Sequence, residues 1–308
     1  MYQNDINLRS SGEKIEYTPE LLKEYLRCKE DIIYFAENYF HITTIDKGRI
    51  LPKLWDFQKK CLKVYTDPNA GLPESRANKR HVSFLAARQI GKTTISKIYL
   101  LHYVLFNADK NVAILANKES TALKILREVK ESYKELPLWL QQGIVSSGWN
   151  KKSIQLENGS MIVASSTASS SVRGESVSLL YLDEFAFVPP NIADKFMRSV
   201  YSTISSGKTS KIIIVSTPNG MNHFYHIYRG AIRDENQYRP IKVNWWEVPG
   251  RDKKFKEDFI ADNGMVAWNQ EMGCLWESNN INICIRNKFT GELKRIGLKE
   301  LYESKNIL

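Results

Sequence analysis

The chain has 308 residues, 44 Lys and Arg against 34 Asp and Glu, and a net charge of +10. With 43% hydrophobic and 25% charged residues it is neither disordered nor membrane-spanning, and its length suits one or two domains. The positive balance favours a polyanionic partner, DNA or RNA. Cys28, Cys61, Cys274 and Cys284 form no CxxC pair, and the five His do not complete a zinc pattern. No signal peptide or long apolar run is present, which places the chain in the cytosol with its thiols reduced and no membrane partner.

Residues 1–17 are polar. Thr18-Pro-Glu-Leu-Leu opens a helix, with Thr18 as N-cap and Pro19 at the first helical position. Leu21, Leu22, Tyr25, Leu26 and then Ile32, Ile33, Phe35, Tyr39 predict two packed helices. Gln58, in Leu54-Trp-Asp-Phe-Gln, stands upstream of a phosphate-loop candidate. Its amide offers a donor and an acceptor together, which suits an adenine edge, and it also suits a solvated helix face. Residues 67–79 read as a polar loop.

Val82 to Ala86 is a short apolar strand, followed by Arg88-Gln-Ile-Gly-Lys-Thr-Thr94 and a helix from Ile95 to Phe106. Strand, tight loop, Gly-Lys-Thr and helix is the context that makes a phosphate-binding loop credible. Its backbone N–H groups converge on phosphate oxygens and the helix dipole assists. In that pattern Lys92 reaches the β- and γ-phosphates and the Thr93 hydroxyl holds Mg²⁺. The usual first Gly is Ala86.

Asn111 to Ala116 is a second buried strand, 119–135 a helix, and 153–164 a hairpin around Asn158-Gly159. The Ser/Thr tract 165–171 reads as a mobile loop leading to Arg173. Leu179-Leu-Tyr-Leu then ends in Asp183-Glu184. An apolar strand closed by two carboxylates suits a Mg²⁺ ligand, Asp183, and a base for the attacking water, Glu184. A helix follows from Pro189-Pro190. Lys211-Ile-Ile-Ile-Val ends in Ser216-Thr217-Pro-Asn-Gly, hydroxyls that face the ligand crevice or simply turn the chain. Residues 224–232 are helical and 241–246 a strand. Residues 253–259 and 265–272 are helical. His223 and His226 share a helix face and read as packed or solvated. Arg251, Lys253, Lys254 and Lys256 face either DNA or solvent.

Together, Gln58, Ala86–Thr94, Asp183-Glu184, Ser216 to Gly220, Trp245, Val248-Pro-Gly-Arg251 and Trp268-Asn-Gln-Glu-Met272 resemble the ATPase domain of tailed-bacteriophage large terminase subunits. The resemblance spans about residues 20–273. That family carries a deviant first motif with Arg-Gln before the Gly-Lys-Thr, which accommodates Ala86. The implied fold is α/β, an ASCE or RecA-like P-loop NTPase. It has a mostly parallel sheet with flanking helices, a small helical subdomain and a short β-rich C-terminal tail.

The expected division is 1–53, an N-terminal helical subdomain; 54–230, the ATPase core; 231–273, a return to the small subdomain; and 274–308, the tail. The resemblance implies ATP and Mg²⁺ as cofactors. Gln58, Arg88, Gln89, Gly91, Lys92, Thr93 and Thr94 would bind ATP, and Thr93 and Asp183 would hold Mg²⁺. Glu184 would be the catalytic base, Arg88 an arginine-finger candidate, Ser216 and Thr217 the coupling motif and Arg173 a further phosphate sensor. It also implies work in the host cytoplasm as a homo-oligomeric ring that drives double-stranded DNA into a prohead, with portal and small terminase subunit as partners.

Members of that family continue into a nuclease domain, whereas this sequence ends at 308. From Cys274 it resembles instead the N-terminal segment of an intein. Ile281, Ile283 and Ile285 alternate, 287–291 turn, Leu293 to Ile296 pair back, and Leu298, Leu301 and Tyr302 suggest a short helix. Cys274 would attack the Gly273 carbonyl in an N-to-S shift. Ser278 and Asn279 depart from the usual intein pattern. The missing intein blocks would come from a partner chain bearing the C-terminal intein and nuclease, making this one half of a split intein. The alternatives are a truncated terminase ATPase whose Cys274 merely packs, or another DNA-dependent P-loop ATPase of helicase or clamp type. A helicase needs a second motor domain, for which there is no room after Gly220.

Overall fold

The computed structural model describes residues 2, 5–167, 176–205, 207–276, 282–288 and 290–297. Arg173, Ser278, Asn279 and the expected helix at 298–302 lie outside them.

Helix α1 (Pro19–Glu30) starts as expected: the Thr18 hydroxyl accepts the Leu21 N–H at 3.3 Å, and Pro19 occupies the first turn. Asp31 ends α1 and caps α2 (Ile32–Asn38), its carboxylate taking the N–H groups of Ile33 and Tyr34. A small hairpin follows, β1 (Ile42–Thr44) and β2 (Gly48–Ile50), then α3 (Asp56–Thr66). Next come β3 (His81–Ala86), α4 (Lys92–Phe106), β4 (Asn111–Ala116) and α5 (Glu119–Lys134). They are followed by β5 (Ile144–Asn150), β6 (Ser153–Leu156), β7 (Met161–Ser166) and β8 (Leu179–Asp183). The chain closes with α6 (Pro190–Ser205), β9 (Lys211–Ser216), α7 (His223–Ile232), β10 (Tyr238–Val243) and α8 (Lys253–Ala267), then β11 (Asn282–Arg286) and β12 (Leu293–Gly297).

Eight strands form the central sheet in the order β10-β3-β9-β8-β4-β7-β6-β5. From β10 to β7 neighbours run parallel, and β6 and β5 are added antiparallel. This is the expected mostly parallel sheet with flanking helices. Strands β3 and β8 are buried along their whole length, as strands covered on both faces must be. The expected hairpin around Asn158-Gly159 is the β6–β7 pair. The hairpin expected in the tail is β11–β12, with Asn282 opposite Gly297 and Arg286 opposite Leu293.

Helix α4 is apolar nearly all round and is therefore a core element. Helices α1 and α2 cover it. Phe35 meets His102 and Phe106 edge-on at 5.4 and 5.8 Å, and His102 Nε2 lies 2.9 Å from the Cys28 carbonyl oxygen. One contiguous buried core joins these helices to the sheet and reaches Cys274.

The strand order positions the site. β9 lies between β3, which carries the Gly-Lys-Thr loop, and β8, which carries Asp183-Glu184. All three deliver their last residues to the carboxyl edge, with Leu85 beside Ser216 and Asp183 beside Val215. Open parallel sheets bind ligands outside this edge.

Candidate functional site

The end of β3 and the loop after it bury Ala86, Ala87 and Ile90 and expose Arg88 and Gln89. Ile90 pins the loop to the core, so its backbone shape is fixed by packing. Gln89 (φ 57°) and Gly91 (φ 77°) both adopt left-handed backbone. Alternation of this kind turns successive N–H groups to one side and makes an anion-binding nest. Helix α4 then starts at Lys92 with no side-chain cap on its first turn, where Thr93 and Thr94 are half-buried. A bare helix N-terminus presents N–H groups and a positive dipole end to an anion.

Gln58 lies beneath this loop. Its Oε1 accepts the Trp55 N–H at 3.1 Å and its Nε2 donates to the Ile90 carbonyl at 3.3 Å. It is buried, not solvated. The positive φ of Gly91 favours glycine, and a methyl group there would stand 2.6 Å from Gln58 Nε2, so the Gln58 amide would have to shift to admit one.

Opposite the loop, Asp183 ends β8 and is 4% exposed. Burial pushes its carboxyl above the ordinary range; the Lys92 ammonium opposes that shift and Glu184 adds to it. The Lys92 ammonium thus lies near enough to Asp183 to favour its charged form. The Tyr181 hydroxyl donates to Asp183 Oδ1 at 3.2 Å, and beneath it the Tyr65 hydroxyl stands 3.4 Å from Ser96 Oγ, which donates to the Lys92 carbonyl. A buried polar network thus underlies both motifs.

Glu184 is half-buried and holds a left-handed backbone (φ 51°, ψ 36°). The next turn, 185–187, is laced to the end of β9. Ser216 Oγ accepts the Ala186 N–H at 3.2 Å, and the Ala186 carbonyl accepts from Asn219 Nδ2 at 3.1 Å and Asn222 Nδ2 at 2.5 Å. Asn222 also caps α7. Thr217 is buried beside Ser216.

Arg88 points elsewhere. Its Nε lies 3.3 Å from Glu271 Oε2, and its backbone N–H donates to the Glu271 carbonyl at 2.7 Å. Arg251 bonds the Arg88 carbonyl at 3.1 Å and the Gln89 carbonyl at 3.2 Å. Of the basic stretch expected to face DNA or solvent, Arg251 faces the loop.

Cys274 is buried with a left-handed backbone (φ 49°), and burial pushes its thiol up to about 12. Trp276 follows it and packs on Phe224, Tyr225 and Tyr228 of α7 at 4.9–6.4 Å between ring centres.

The fold therefore gathers Gln58, Gly91, Lys92, Thr93, Asp183, Glu184, Ser216 and Thr217 at one edge of the sheet, and turns Arg88 to Glu271. Sequence reading singled out the Trp268–Met272 motif without giving its Glu271 a role, and missed Ala186, Asn222 and Tyr181 as members of this site. The Asn222 amide two residues past Gly220 was the one local signal, since it is a helix-capping residue.

Residues 83–290 match the family described as terminase large subunit, T4-like-virus type, N-terminal. The ATPase domain of the Thermus phage P74-26 large terminase, as an arginine-to-alanine mutant, is 16% identical with a TM-score of 0.52, over 65% of this chain and 90% of that one. The bacteriophage HK97 large terminase is 20% identical with a TM-score of 0.58, over 79% of this chain and 48% of that one. A large terminase of a thermophilic bacteriophage, in complex with ATP-gamma-S, is 13% identical with a TM-score of 0.53, over 73% and 53%. At these identities the likeness is one of fold, and the chain spans about half the length of the latter two. Because the family match extends over more than half of the chain, the protein belongs to the terminase large-subunit family, in which it represents the N-terminal domain of the T4-like-virus type.

Proposed function

We propose that the chain binds and hydrolyses ATP to move double-stranded DNA into a phage prohead. The observation that carries this reading is the convergence of Lys92, at the uncapped start of α4, with Asp183 and Glu184 across β9. A cation facing a buried carboxylate at the edge of a parallel sheet suits a polyphosphate and a divalent ion.

Mg²⁺ fits the donors present. Mg²⁺ prefers one or two carboxylates with hydroxyl, water and phosphate oxygens. Asp183 offers a buried carboxylate whose charged form is disfavoured until a cation arrives, and Thr93 offers a hydroxyl on the α4 first turn. When bound there, the ion neutralises charge on the transferred phosphoryl group. The remaining work falls to the chain. The nest at 89–91 and Lys92 hold the phosphates, and Glu184 polarises the attacking water. Ser216, through Ala186, ties the position of Glu184 to β9, which suits Ser216 and Thr217 to coupling. Gln58 contacts adenine once its bonds to Trp55 and Ile90 are exchanged, and Arg88 serves as the arginine finger after leaving Glu271. The motor works in the host cytoplasm as a ring of copies with portal, prohead and small subunit as partners.

Equilibrium binding of ATP with Mg²⁺, measured beside hydrolysis, tests the reading. Lys92→Ala is expected to lose binding. Glu184→Gln is expected to retain binding and lose hydrolysis by at least about a hundredfold, the lower range for a general base. Full binding by Lys92→Ala, or undiminished hydrolysis by Glu184→Gln, overturns these roles.

A second reading concerns the tail. The β11–β12 hairpin and the small Gly273 before Cys274 support an N-terminal split-intein segment that splices to a nuclease-bearing partner chain. The protonated, buried thiol means that splicing requires residues 274–276 to leave α7. Mixing with a C-terminal intein partner and weighing the products tests it: ligation that survives Cys274→Ala excludes this nucleophile, and no ligation with wild type excludes the reading.

A further inference from the structure

We infer that Arg251 is a positioning residue for the phosphate loop, holding its backbone in the shape that receives the anion. This rests on the nucleotide-binding reading above. A nest binds an anion only if its carbonyl oxygens are turned away while its N–H groups point inward. Left-handed backbone at a non-glycine residue is disfavoured by the close approach of its Cβ to the backbone, so the conformation at Gln89 needs outside support.

Arg251 supplies that support. One guanidinium nitrogen donates to the Arg88 carbonyl at 3.1 Å and the other to the Gln89 carbonyl at 3.2 Å. The planar fork spans two consecutive carbonyls, which an ammonium cannot match in geometry. The fork is itself fixed. Its carbon lies 4.9 Å from the centre of the Phe255 ring, and Nη1 lies 3.9 Å from Met272 Sδ. The tight turn at Gly250 (φ 82°) delivers the side chain, with the Arg251 N–H donating to the Val248 carbonyl at 3.2 Å. Glu271 completes the grip on the other side of Arg88 through its carbonyl and its carboxylate. The loop that carries Lys92 is thus braced by residues that follow β10 in sequence, and Arg251 bonds the loop through its backbone carbonyls.

The test compares affinity for ATP with affinity for AMP, both with Mg²⁺, in wild type, Arg251→Lys, Arg251→Ala and Phe255→Ala. AMP lacks the β- and γ-phosphates that the nest would hold. Two charge-assisted bonds place the expected loss for Arg251→Ala at about tenfold or more in ATP affinity, with AMP affinity unchanged. Arg251→Lys, which keeps one bond, is expected to fall between. Phe255→Ala removes the ring against which the fork rests and is expected to lower the ATP-to-AMP ratio, but by less than Arg251→Ala. An unchanged ratio in Arg251→Ala overturns the positioning role, as does an equal loss for both nucleotides. If Arg251→Ala does not fold, an unchanged ratio in Arg251→Lys does the same. Wild type that binds neither nucleotide refutes the nucleotide reading itself.

Discussion

Ser216 Oγ accepts a hydrogen bond from the Ala186 backbone N–H at 3.2 Å, joining the end of β9 to the turn that follows Glu184. The Ala186 carbonyl is held in turn by Asn219 and Asn222. Both backbone polar groups of Ala186 are therefore fixed by the end of β9 and the loop that follows it, two residues from the left-handed backbone of Glu184. Ser216→Ala leaves the buried Ala186 N–H without its partner, at a cost of about 1–3 kcal/mol. Hydrolysis is expected to fall about tenfold, the change that 1.4 kcal/mol in a barrier produces, while ATP affinity is retained. Single-turnover rates beside equilibrium binding check this; a parallel loss of both would place Ser216 in binding instead.

Gly91→Ala meets two obstacles at once. Its φ of +77° carries a penalty of roughly 1–2 kcal/mol for any residue with a Cβ. That Cβ also stands 2.6 Å from Gln58 Nε2. The thermal midpoint is expected to drop by about 2–4 °C per kcal/mol lost. Adding Gln58→Ala relieves the clash but not the backbone penalty, so part of the drop persists in the double variant. Full recovery there would assign the whole cost to the clash.

Burial holds His81 and His102 down at about 4, whereas an unfolded histidine titrates near about 6.5. Between those values the unfolded chain binds protons that the folded chain refuses. The stability contributed by the neutral rings is therefore complete above about 6.5 and is lost as pH falls towards 4. The urea midpoint is expected to decline between pH 7 and pH 4.5, and to decline less in His102→Gln. Identical declines in the two proteins would remove His102 from the explanation.

The Cys274 thiol, pushed up to about 12 from an ordinary 9, carries about a thousandfold less thiolate at neutral pH than a free cysteine. Iodoacetamide is expected to label exposed Cys284 long before Cys274. Trp276→Ala removes the ring that seats this segment on Phe224, Tyr225 and Tyr228, and is expected to speed labelling of Cys274 selectively. Peptide mass mapping over time reads both rates; equal labelling of Cys274 in the two proteins would mean that Trp276 does not seat the segment.

Much of this arrangement was legible in the amino acids. β3, β4, β8 and β9 are consecutive apolar runs, because strands covered on both faces show no alternation to obscure. Thr18, Pro19 and the Asn158-Gly159 turn announce their own backbone geometry. Other parts leave no local trace. β5 reads Ile-Val-Ser-Ser-Gly-Trp-Asn, with neither an apolar run nor clean alternation, and its register against β6 shifts between Ile144 and Trp149. β1 and β2 are three residues each, too short to show a period. The burial of Gln58 follows from its contact with Ile90, and the role of Arg251 from a contact with Arg88 and Gln89. The first depends on how α3 packs and the second on β10 lying beside β3, and no window of sequence contains either.

The place of β3 in the sheet also bears on how the chain is made. Its two neighbours, β9 and β10, are both encoded far downstream of it. As the polypeptide leaves the ribosome, the strand that precedes the phosphate loop finds no lasting partner until Lys211 has been synthesised, and its second edge stays open until Tyr238. The brace from Arg251 and Glu271 arrives later still. Pairings this distant in sequence close slowly and leave apolar edges open meanwhile. The half-made domain therefore carries an open apolar strand edge for longer, and the carboxyl edge of β3, where the candidate site lies, is among the last features to be completed.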